Sequence, residues 1–371
     1  MTTSDTLRPL AGRATPDGTA RFRHRFAHLD EGFFSRALGL EVSSIGLGTY
    51  LGEPDGETDR AYGEAIRLAP TLGCNLIDSA INYRCQFSER VIGGALRDLV
   101  AGGTVARDEM VVCTKGGYLS FDGSPTDARA WVRETFIEPG IIDWSDIVSH
   151  NVMHPRYIRH QLETSLANLG LETIDVYYLH NPESQLQGVS RAQCLERMTA
   201  CFEELEGAAA EGRIGVYGVA TWDAFRVDPS TQGALSLDEL VRSAREAGGE
   251  DHHFRVVQMP FNLGMPEAFV KSTQRIGQDR MPALEAAARL GLTAFASGSL
   301  SQGRLTALPA ALAAMIPGLA SDAQRSLQFV RSTPGVAAAL VGMKTAAHVR
   351  DNLALGGCPR LPAGQFTALF Q

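Results

Sequence analysis

Four residues of this chain have side chains that together could transfer a proton to or from a small molecule. Asp78, Lys115 and His180 each end a short apolar segment, and Tyr83 lies five residues beyond Asp78. In a parallel α/β barrel, the C-terminal ends of the strands meet on one face, where catalytic residues are placed. The sequence therefore predicts a single site assembled from separate strands.

A phenol that lies beside an ammonium group can act as a general acid. An unperturbed tyrosine has a pKa near ~10 and is a poor acid at neutral pH. Two unit charges 4 Å apart interact by about 4 kcal/mol at an effective dielectric constant near 20. We therefore expect Lys115 to lower the pKa of Tyr83 by roughly one to three pKa units. Asp78 would supply the counter-charge, and His180 would orient a carbonyl group or assist proton transfer.

The positions of these residues require a fold that brings several strand ends together. From about residue 44 onward, helix-like segments alternate with eight strand-like segments: Ser44–Gly48, Leu76–Asp78, Val111–Lys115, Val176–His180, Val216–Ala220, Val256–Pro260, Thr293–Ala296 and Ala339–Gly342. Eight strands that are each followed by a helix indicate the α/β class and a (β/α)8 TIM barrel. An open doubly wound sheet is the alternative, but no GxGxxG pattern follows the first strand.

The predicted barrel domain covers residues 33–371, and residues 33–42 are predicted to form a hairpin that closes its bottom. Residues 1–32 are rich in small and polar types and predict a disordered or extended leader. Two long connections, 116–153 and 221–236, leave the C-terminal face. Loops of this size are often functional lids, although decoration of the barrel rim remains an alternative. If they are lids, Phe121, Trp144 and Trp222 are candidate substrate contacts.

The composition argues against nucleic-acid-binding, membrane and secreted proteins. The net charge of -8 and the pI near 5.6 argue against a partner that is a nucleic acid or an anionic membrane. No apolar run approaches the ~20 residues of a membrane span, and the N-terminus lacks the apolar segment of a signal peptide. The six cysteines form no CxxC pair, which favours a reducing cytoplasm. The expected partner is a small molecule, and the sequence leaves the oligomeric state open.

The chain resembles the aldo-keto reductases over about residues 33 to 355. The segment from Asp78 to Tyr83 has that family's Asp-Ser-Ala-x-x-Tyr pattern, Lys115 is similar to its catalytic lysine, and His180 ends a strand similar to its histidine strand. Residues 45–50 are similar to its first-strand motif. Residues 257–262 and 342–352 are similar to its later cofactor-contacting segments.

The resemblance implies an NAD(P)H-dependent oxidoreductase that reduces an aldehyde or ketone to an alcohol, or catalyses the reverse. It assigns catalysis to Asp78, Tyr83, Lys115 and His180. NADP(H) is expected to be preferred over NAD(H), because Lys344 could pair with a 2′-phosphate. The resemblance implies cofactor contacts at Thr49, Tyr50, Thr221, Gln258, Leu300, Gly303, Gly342, Lys344, His348 and Asn352. The chain departs from the family at Ala220-Thr221, where Ser-Asn is usual, so contacts with the carboxamide are reduced or rebuilt.

Two other functions are open at this point. A regulatory NADP-binding barrel subunit would share the fold without turnover. A Schiff-base lyase or aldolase would use Lys115 as a nucleophile, with Asp78 and Tyr83 nearby. A metal site at His150 and His154 has helical spacing, but the glutamate of the HExxH pattern does not follow His150. We predict no metal ion.

Overall fold

A computed structural model describes residues 8–370 of the 371-residue chain. Eight parallel strands, each paired with its neighbours in chain order, close into a barrel. They are β1 (Ile45–Gly48), β2 (Leu76–Asp78), β3 (Val111–Gly116), β4 (Ile174–His180), β5 (Ile214–Ala220), β6 (Phe254–Pro260), β7 (Thr293–Ser297) and β8 (Val336–Gly342). This confirms the predicted fold, and each strand overlaps a predicted segment, with bounds that differ by up to three residues.

A helix follows each strand and packs on the outside of the barrel. These helices are α1 (Gly56–Leu68), α2 (Phe87–Ala101), α3 (Pro155–Leu169), α4 (Arg191–Ala210), α5 (Leu237–Gly248), α6 (Ala283–Arg289), α7 (Asp322–Ser332) and α8 (Ala346–Leu353). Shorter helices span Ala128–Val132, Glu267–Val270, Ala310–Met315 and Ala363–Ala368. None of the helices between residues 8 and 370 is long and apolar enough to cross a membrane.

Local sequence signals fix where several of these helices begin and end. The Asp55 carboxylate accepts a hydrogen bond from Thr58 N at the start of α1, which satisfies one of the free amides of the first turn. Gly170 has a φ of 61° immediately after α3, a left-handed conformation that glycine adopts without a steric penalty. These signals allow the chain to turn sharply into the next strand and keep the strand ends on one face.

The predicted hairpin is confirmed. Strand Phe34–Ala37 pairs with the antiparallel strand Leu40–Ser43, directly before β1. Leu40 and Val42 are buried in one apolar cluster with residues of the barrel interior that include Leu76 and Val176. The hairpin therefore closes the end of the barrel opposite to the C-terminal strand ends.

The expectation of a disordered or extended leader is wrong from residue 16 onward, and residues 1–7 lie outside the described part of the chain. Residues Pro16–Arg25 form a helix that Thr15 caps. Phe22 is fully buried against Phe34 and Phe26, and Ala14 N donates to Asp175 Oδ1 at 2.6 Å. Although this segment is mostly small and polar, it contains one aromatic side chain that is buried. Packing of that side chain against the barrel, rather than the overall composition, determines the structure of the segment.

Candidate active site

The four predicted catalytic residues lie together at the C-terminal end of the barrel. Asp78 ends β2, Lys115 lies at the end of β3, and His180 ends β4. Tyr83 begins a short turn, residues 83–86, between β2 and α2. The barrel brings these side chains from three strands and one turn to a common point, as the spacing of the apolar segments predicted.

Lys115 and Asp78 form a buried ion pair at the floor of this site. Lys115 Nζ donates to Asp78 Oδ2 and to the Ser79 carbonyl oxygen, both at 2.6 Å. The second carboxylate oxygen of Asp78 accepts from Gln258 Nε2 at 2.8 Å. Burial is the largest single effect and lowers the pKa of Lys115, but the contributions of Asp78 and Tyr83 together outweigh it, so the pKa of Lys115 is raised. Lys115 is therefore a fixed positive charge at neutral pH.

The Tyr83 phenol lies within reach of that charge. Lys115 Nζ is 3.5 Å from Tyr83 Oη and 5.0 Å from the centre of the ring. Burial raises the pKa of Tyr83, Lys115 opposes this rise, and Asp78 adds to it. The expected net lowering of the Tyr83 pKa is therefore wrong, because desolvation of the phenolate exceeds the attraction of Lys115. The lysine instead limits how weak an acid the buried phenol becomes.

His180 faces Tyr83 from the end of β4, which lies on the other side of β3 from β2. The centres of the two rings are 5.9 Å apart and the rings lie edge to face. Burial lowers the pKa of His180 well below its ordinary value, and the Lys115 charge lowers it further. A neutral imidazole carries one N–H and one acceptor nitrogen. His180 can therefore orient a carbonyl group as a neutral hydrogen-bond donor.

A cavity of about 770 Å³ opens above these residues, which is within the range typical of small-molecule and cofactor sites. Asp78, Tyr83 and His180 line it, whereas Lys115 lies beneath its wall. Most of the residues that the resemblance assigned to cofactor contacts also line it: Thr49, Tyr50, Thr221, Gln258, Leu300, Gly303, Gly342, His348 and Asn352. The cavity extends from the phenol to the start of α8, which suits an elongated ligand.

Lys344 does not line this cavity. It lies two residues beyond Gly342, it is exposed, and its stem passes beside Gly52 in the loop after β1. It forms no ion pair with any residue between 8 and 370. Its ammonium group would have to move toward the cavity in order to contact a ligand there.

The structure does not bring Phe121 or Trp144 to the cavity, so their prediction as substrate contacts is corrected. The long connection after β3 folds into its own small apolar cluster, which contains Phe136 and Tyr157. The Phe121 ring packs on Trp131 at 5.2 Å, and Trp144 is exposed, with the Arg129 guanidinium 5.0 Å from its ring centre. Phe121, Trp131 and Phe136 pack on one another because the connection is long enough to cover them, whereas Trp144 stays at the surface.

Tyr118 and Asn181, which line the cavity beside His180, were not predicted from the sequence. Tyr118 packs its ring 5.1 Å from that of His180, and Asn181 donates to Tyr118 Oη at 3.2 Å. Both lie within three residues of a predicted catalytic residue at a strand end. That proximity was the available signal, because residues just beyond barrel strands form the face that holds the site. Trp222, which was predicted, lines the cavity and is exposed.

The position of Trp222 depends on a carboxyl group. Glu183 Oε1 accepts a hydrogen bond from the Trp222 backbone N–H at 2.8 Å, and its Oε2 is buried with no hydrogen-bond partner among residues 8–370. Burial raises the pKa of Glu183 to about 7, and nearby Asp223 contributes to the rise. Glu183 therefore links the connection after β4 to the loop that presents Trp222.

No group of three or more His, Cys, Asp or Glu side chains between residues 8 and 370 is arranged to hold a metal ion. His150 and His154 lie before α3, and neither lines the cavity.

Comparison with known proteins identifies the family that the sequence motifs resemble. A model of the Aldo/keto reductase family matches residues 44–234, just over half of the chain. The uncharacterized oxidoreductase YqkF of Bacillus subtilis (strain 168) is 23% identical over 363 residues, covering 90% of this chain and 94% of that protein. The NADH-specific methylglyoxal reductase of Escherichia coli (strain K12) is 30% identical over 193 residues, which is 51% of each chain.

Solved structures share the fold. An aldo/keto reductase from Klebsiella pneumoniae in complex with NADP and acetate superimposes with a TM-score of 0.61 and 21% identity, covering 91% of this chain and 94% of that one. The glycerol dehydrogenase of Gluconobacter oxydans gives a TM-score of 0.63 and 20% identity, covering 92% and 95%. At these identities the likeness concerns the arrangement of strands and helices.

The raised pKa of Glu183 predicts how stability changes with pH. A carboxyl group whose pKa is about 7 in the folded chain and near 4.5 when unperturbed stabilises the fold through its protonated form. That contribution is complete below about pH 4.5 and is lost as the pH rises through about 7. Glu183→Gln stays neutral, so its unfolding free energy should gain about 2–3 kcal/mol relative to wild type between pH 5 and pH 8.

Urea denaturation at the two pH values measures this difference. Glu172→Gln, the same substitution at an exposed position, is the matched control and should show no such gain. Equal pH dependence in the two variants would mean that the Glu183 carboxyl is not held protonated by the fold.

Proposed function

Because the chain belongs to the aldo/keto reductase family, we propose that it uses NADPH or NADH to reduce an aldehyde or ketone to the alcohol, or catalyses the reverse oxidation. The observation that carries the proposal is the Lys115–Asp78 ion pair with Lys115 Nζ 3.5 Å from the Tyr83 hydroxyl, at the base of a cavity that His180 also lines. A carbonyl group that accepts hydride needs a proton donor within hydrogen-bond reach, and we assign that role to Tyr83.

A bound nicotinamide would supply the hydride for reduction and accept it for oxidation. Tyr83 Oη donates a proton to the carbonyl oxygen as the carbon receives the hydride, and the resulting phenolate takes up a proton from solvent. The Lys115 ammonium stabilises the phenolate. His180 is neutral and donates a hydrogen bond to the same carbonyl oxygen, which fixes its orientation before the reaction.

Several cavity residues fit a nicotinamide dinucleotide. Thr221 Oγ1 is buried on the cavity wall with no hydrogen-bond partner in the described chain, so it suits a carboxamide. Directly after Leu300, three consecutive residues have positive φ values: Ser301, Gln302 and Gly303. A backbone of this shape can direct amide groups toward a pyrophosphate. We propose that Thr49 and Tyr50 lie near the nicotinamide ribose, with Gln258 near the carboxamide, while Gly342, His348 and Asn352 surround the adenosine end.

The same geometry disfavours a Schiff-base reaction. A nucleophilic lysine must be neutral when it attacks a carbonyl. Lys115 is fully buried, has a raised pKa and donates to both Asp78 and Ser79. It is a charged support for Tyr83 rather than a nucleophile open to the cavity.

A cytoplasmic location is part of the proposal. All six cysteines are free thiols in the structure, as expected in a reducing compartment.

The first functional prediction concerns Tyr83. Tyr83→Phe removes the proton donor but keeps the ring, so kcat for carbonyl reduction should fall by ~10²-fold or more, with the Kd for the cofactor unchanged. Steady-state kinetics with a panel of small aldehydes and ketones, together with calorimetric cofactor binding, measures both quantities. Tyr118→Phe removes the other cavity hydroxyl near His180 and should have a much smaller effect.

Wild-type turnover by Tyr83→Phe would show that another group donates the proton. A wild-type protein that binds the cofactor but reduces no carbonyl compound would instead favour the regulatory alternative. Failure of the folded wild type to bind either cofactor would contradict the proposed function itself.

The second functional prediction concerns the choice of cofactor. We propose that NADPH is preferred over NADH because the exposed Lys344 can reach the 2′-phosphate from its position beside Gly52. A charge-assisted contact is worth about 1.5–3 kcal/mol, so Lys344→Ala should weaken NADPH binding roughly tenfold or more and leave NADH binding unchanged. Lys271→Ala removes an equal charge from an exposed residue of a different connection, after the helix Glu267–Val270, and is the control in the same fluorescence titrations. Equal weakening of both cofactors would exclude this role of Lys344.

A further inference from the structure

The turn that carries Tyr83 has an unusual backbone. Arg84, Cys85 and Gln86 have φ values of 50°, 52° and 74°, in the left-handed region, and none of them is glycine. Left-handed backbone brings Cβ close to the carbonyl oxygen and persists only where surrounding contacts enforce it. Three consecutive residues of this kind lie directly after the proposed proton donor. Contacts made by the side chains of the turn are therefore expected to hold this backbone conformation.

The side chain of Arg84 makes contacts that could enforce this conformation. It is almost fully buried, with 1% of its side chain exposed. Its Nε donates to the Glu53 carbonyl oxygen at 2.9 Å, and its Nη2 donates to Asp59 Oδ1 at 2.6 Å and to the Asp55 carbonyl oxygen at 3.4 Å. The guanidinium also lies 5.4 Å from the centre of the Tyr62 ring. One residue of the Tyr83 turn therefore holds the loop between β1 and α1 at two carbonyl groups.

That loop, residues 49–55, forms part of the cavity wall. Tyr50 and Leu51 line the cavity, and the Tyr50 ring lies 4.9 Å from the Tyr83 ring. Most of the loop is exposed, and it packs few apolar side chains of its own. The side chains that hold it are the buried Arg84 guanidinium, the Tyr62 hydroxyl, which donates to the Leu51 carbonyl oxygen at 2.7 Å, and at its start the Ser88 hydroxyl, which donates to the Thr49 carbonyl oxygen at 2.8 Å.

We propose that Arg84 is a positioning residue that fixes the Tyr83 turn and the 49–55 loop relative to each other. The phenol and the adjacent Tyr50 side chain then keep one spacing, so a ligand held against Tyr50 meets the Tyr83 hydroxyl at the correct distance. Misplacement of a reacting group by about 1 Å can cost a large factor in rate. The kinetic part of this inference rests on the proposed function, whereas the mechanical link between the turn and the loop does not.

Two glycine substitutions separate the backbone from the side chain. Arg84→Gly permits the left-handed backbone without strain but removes the guanidinium. Cys85→Gly gives the same freedom at the next residue, whose side chain makes no hydrogen bond to the described chain, and leaves Arg84 in place. Arg84→Gly should lower kcat about tenfold or more and speed amide hydrogen exchange in residues 50–55. Cys85→Gly should leave both quantities within twofold of wild type.

Two milder variants keep the test decisive if Arg84→Gly fails to fold. Arg84→Lys keeps the charge but cannot donate to a carbonyl group and a carboxylate in the same fork geometry, so exchange in the loop should rise to an intermediate level. Asp59→Asn removes the charged acceptor and should produce a smaller change in the same direction. A falling melting temperature with unchanged loop exchange and unchanged kcat would mean that Arg84 only stabilises the fold, and would overturn the proposal.

Hydrogen exchange also distinguishes failure of this inference from failure of the proposed function. If the wild type reduces no carbonyl compound, the proposed function is contradicted while the exchange data still decide whether Arg84 holds the loop. If the wild type is active and Arg84→Gly matches it in both loop exchange and kcat, the positioning role is excluded.

Discussion

The buried ion pair between Lys115 and Asp78 is the interaction on which the rest of the site depends. Transfer of either charge into the barrel alone would be strongly unfavourable, and removal of one partner would leave the other uncompensated. The pair is tolerated because its other hydrogen-bonding groups are occupied, by the Ser79 carbonyl oxygen on one side and by Gln258 on the other. Since these residues belong to β2, β3 and β6 or lie directly after them, the pair also links separate strands below the cavity.

The Lys115 charge favours the charged form of one group above it and disfavours the charged form of the other. It favours the anionic form of Tyr83 and disfavours the cationic form of His180. One group is thereby kept able to release a proton, and the other remains a neutral hydrogen-bond donor. A single fixed charge can assign different roles to two neighbouring groups in this way, as in other sites where environment separates the protonation states of paired residues.

Strand periodicity and the residue types at strand ends were enough to predict the barrel, the hairpin before β1 and the convergence of Asp78, Tyr83 and His180 around Lys115. The reason is that the end of a parallel strand determines where its last side chain points. Features that depend on which distant side chains exclude water were not predicted. The helix that buries Phe22, the packing of Phe121 within its own connection, and the raised pKa of Tyr83 all depend on the assembled tertiary structure.

The pH dependence of carbonyl reduction in Lys115→Met tests the central claim most directly. Reduction requires a protonated phenol, so kcat should fall at alkaline pH as Tyr83 ionises. Without the ammonium, the Tyr83 pKa should rise, so Lys115→Met should show a lower kcat and an alkaline limb displaced to higher pH. The double variant Lys115→Met/Asp78→Asn also removes the carboxylate that raises the Tyr83 pKa, and should show a smaller displacement. A profile for Lys115→Met that superimposes on that of wild type would contradict the claim that this ion pair controls the proton donor.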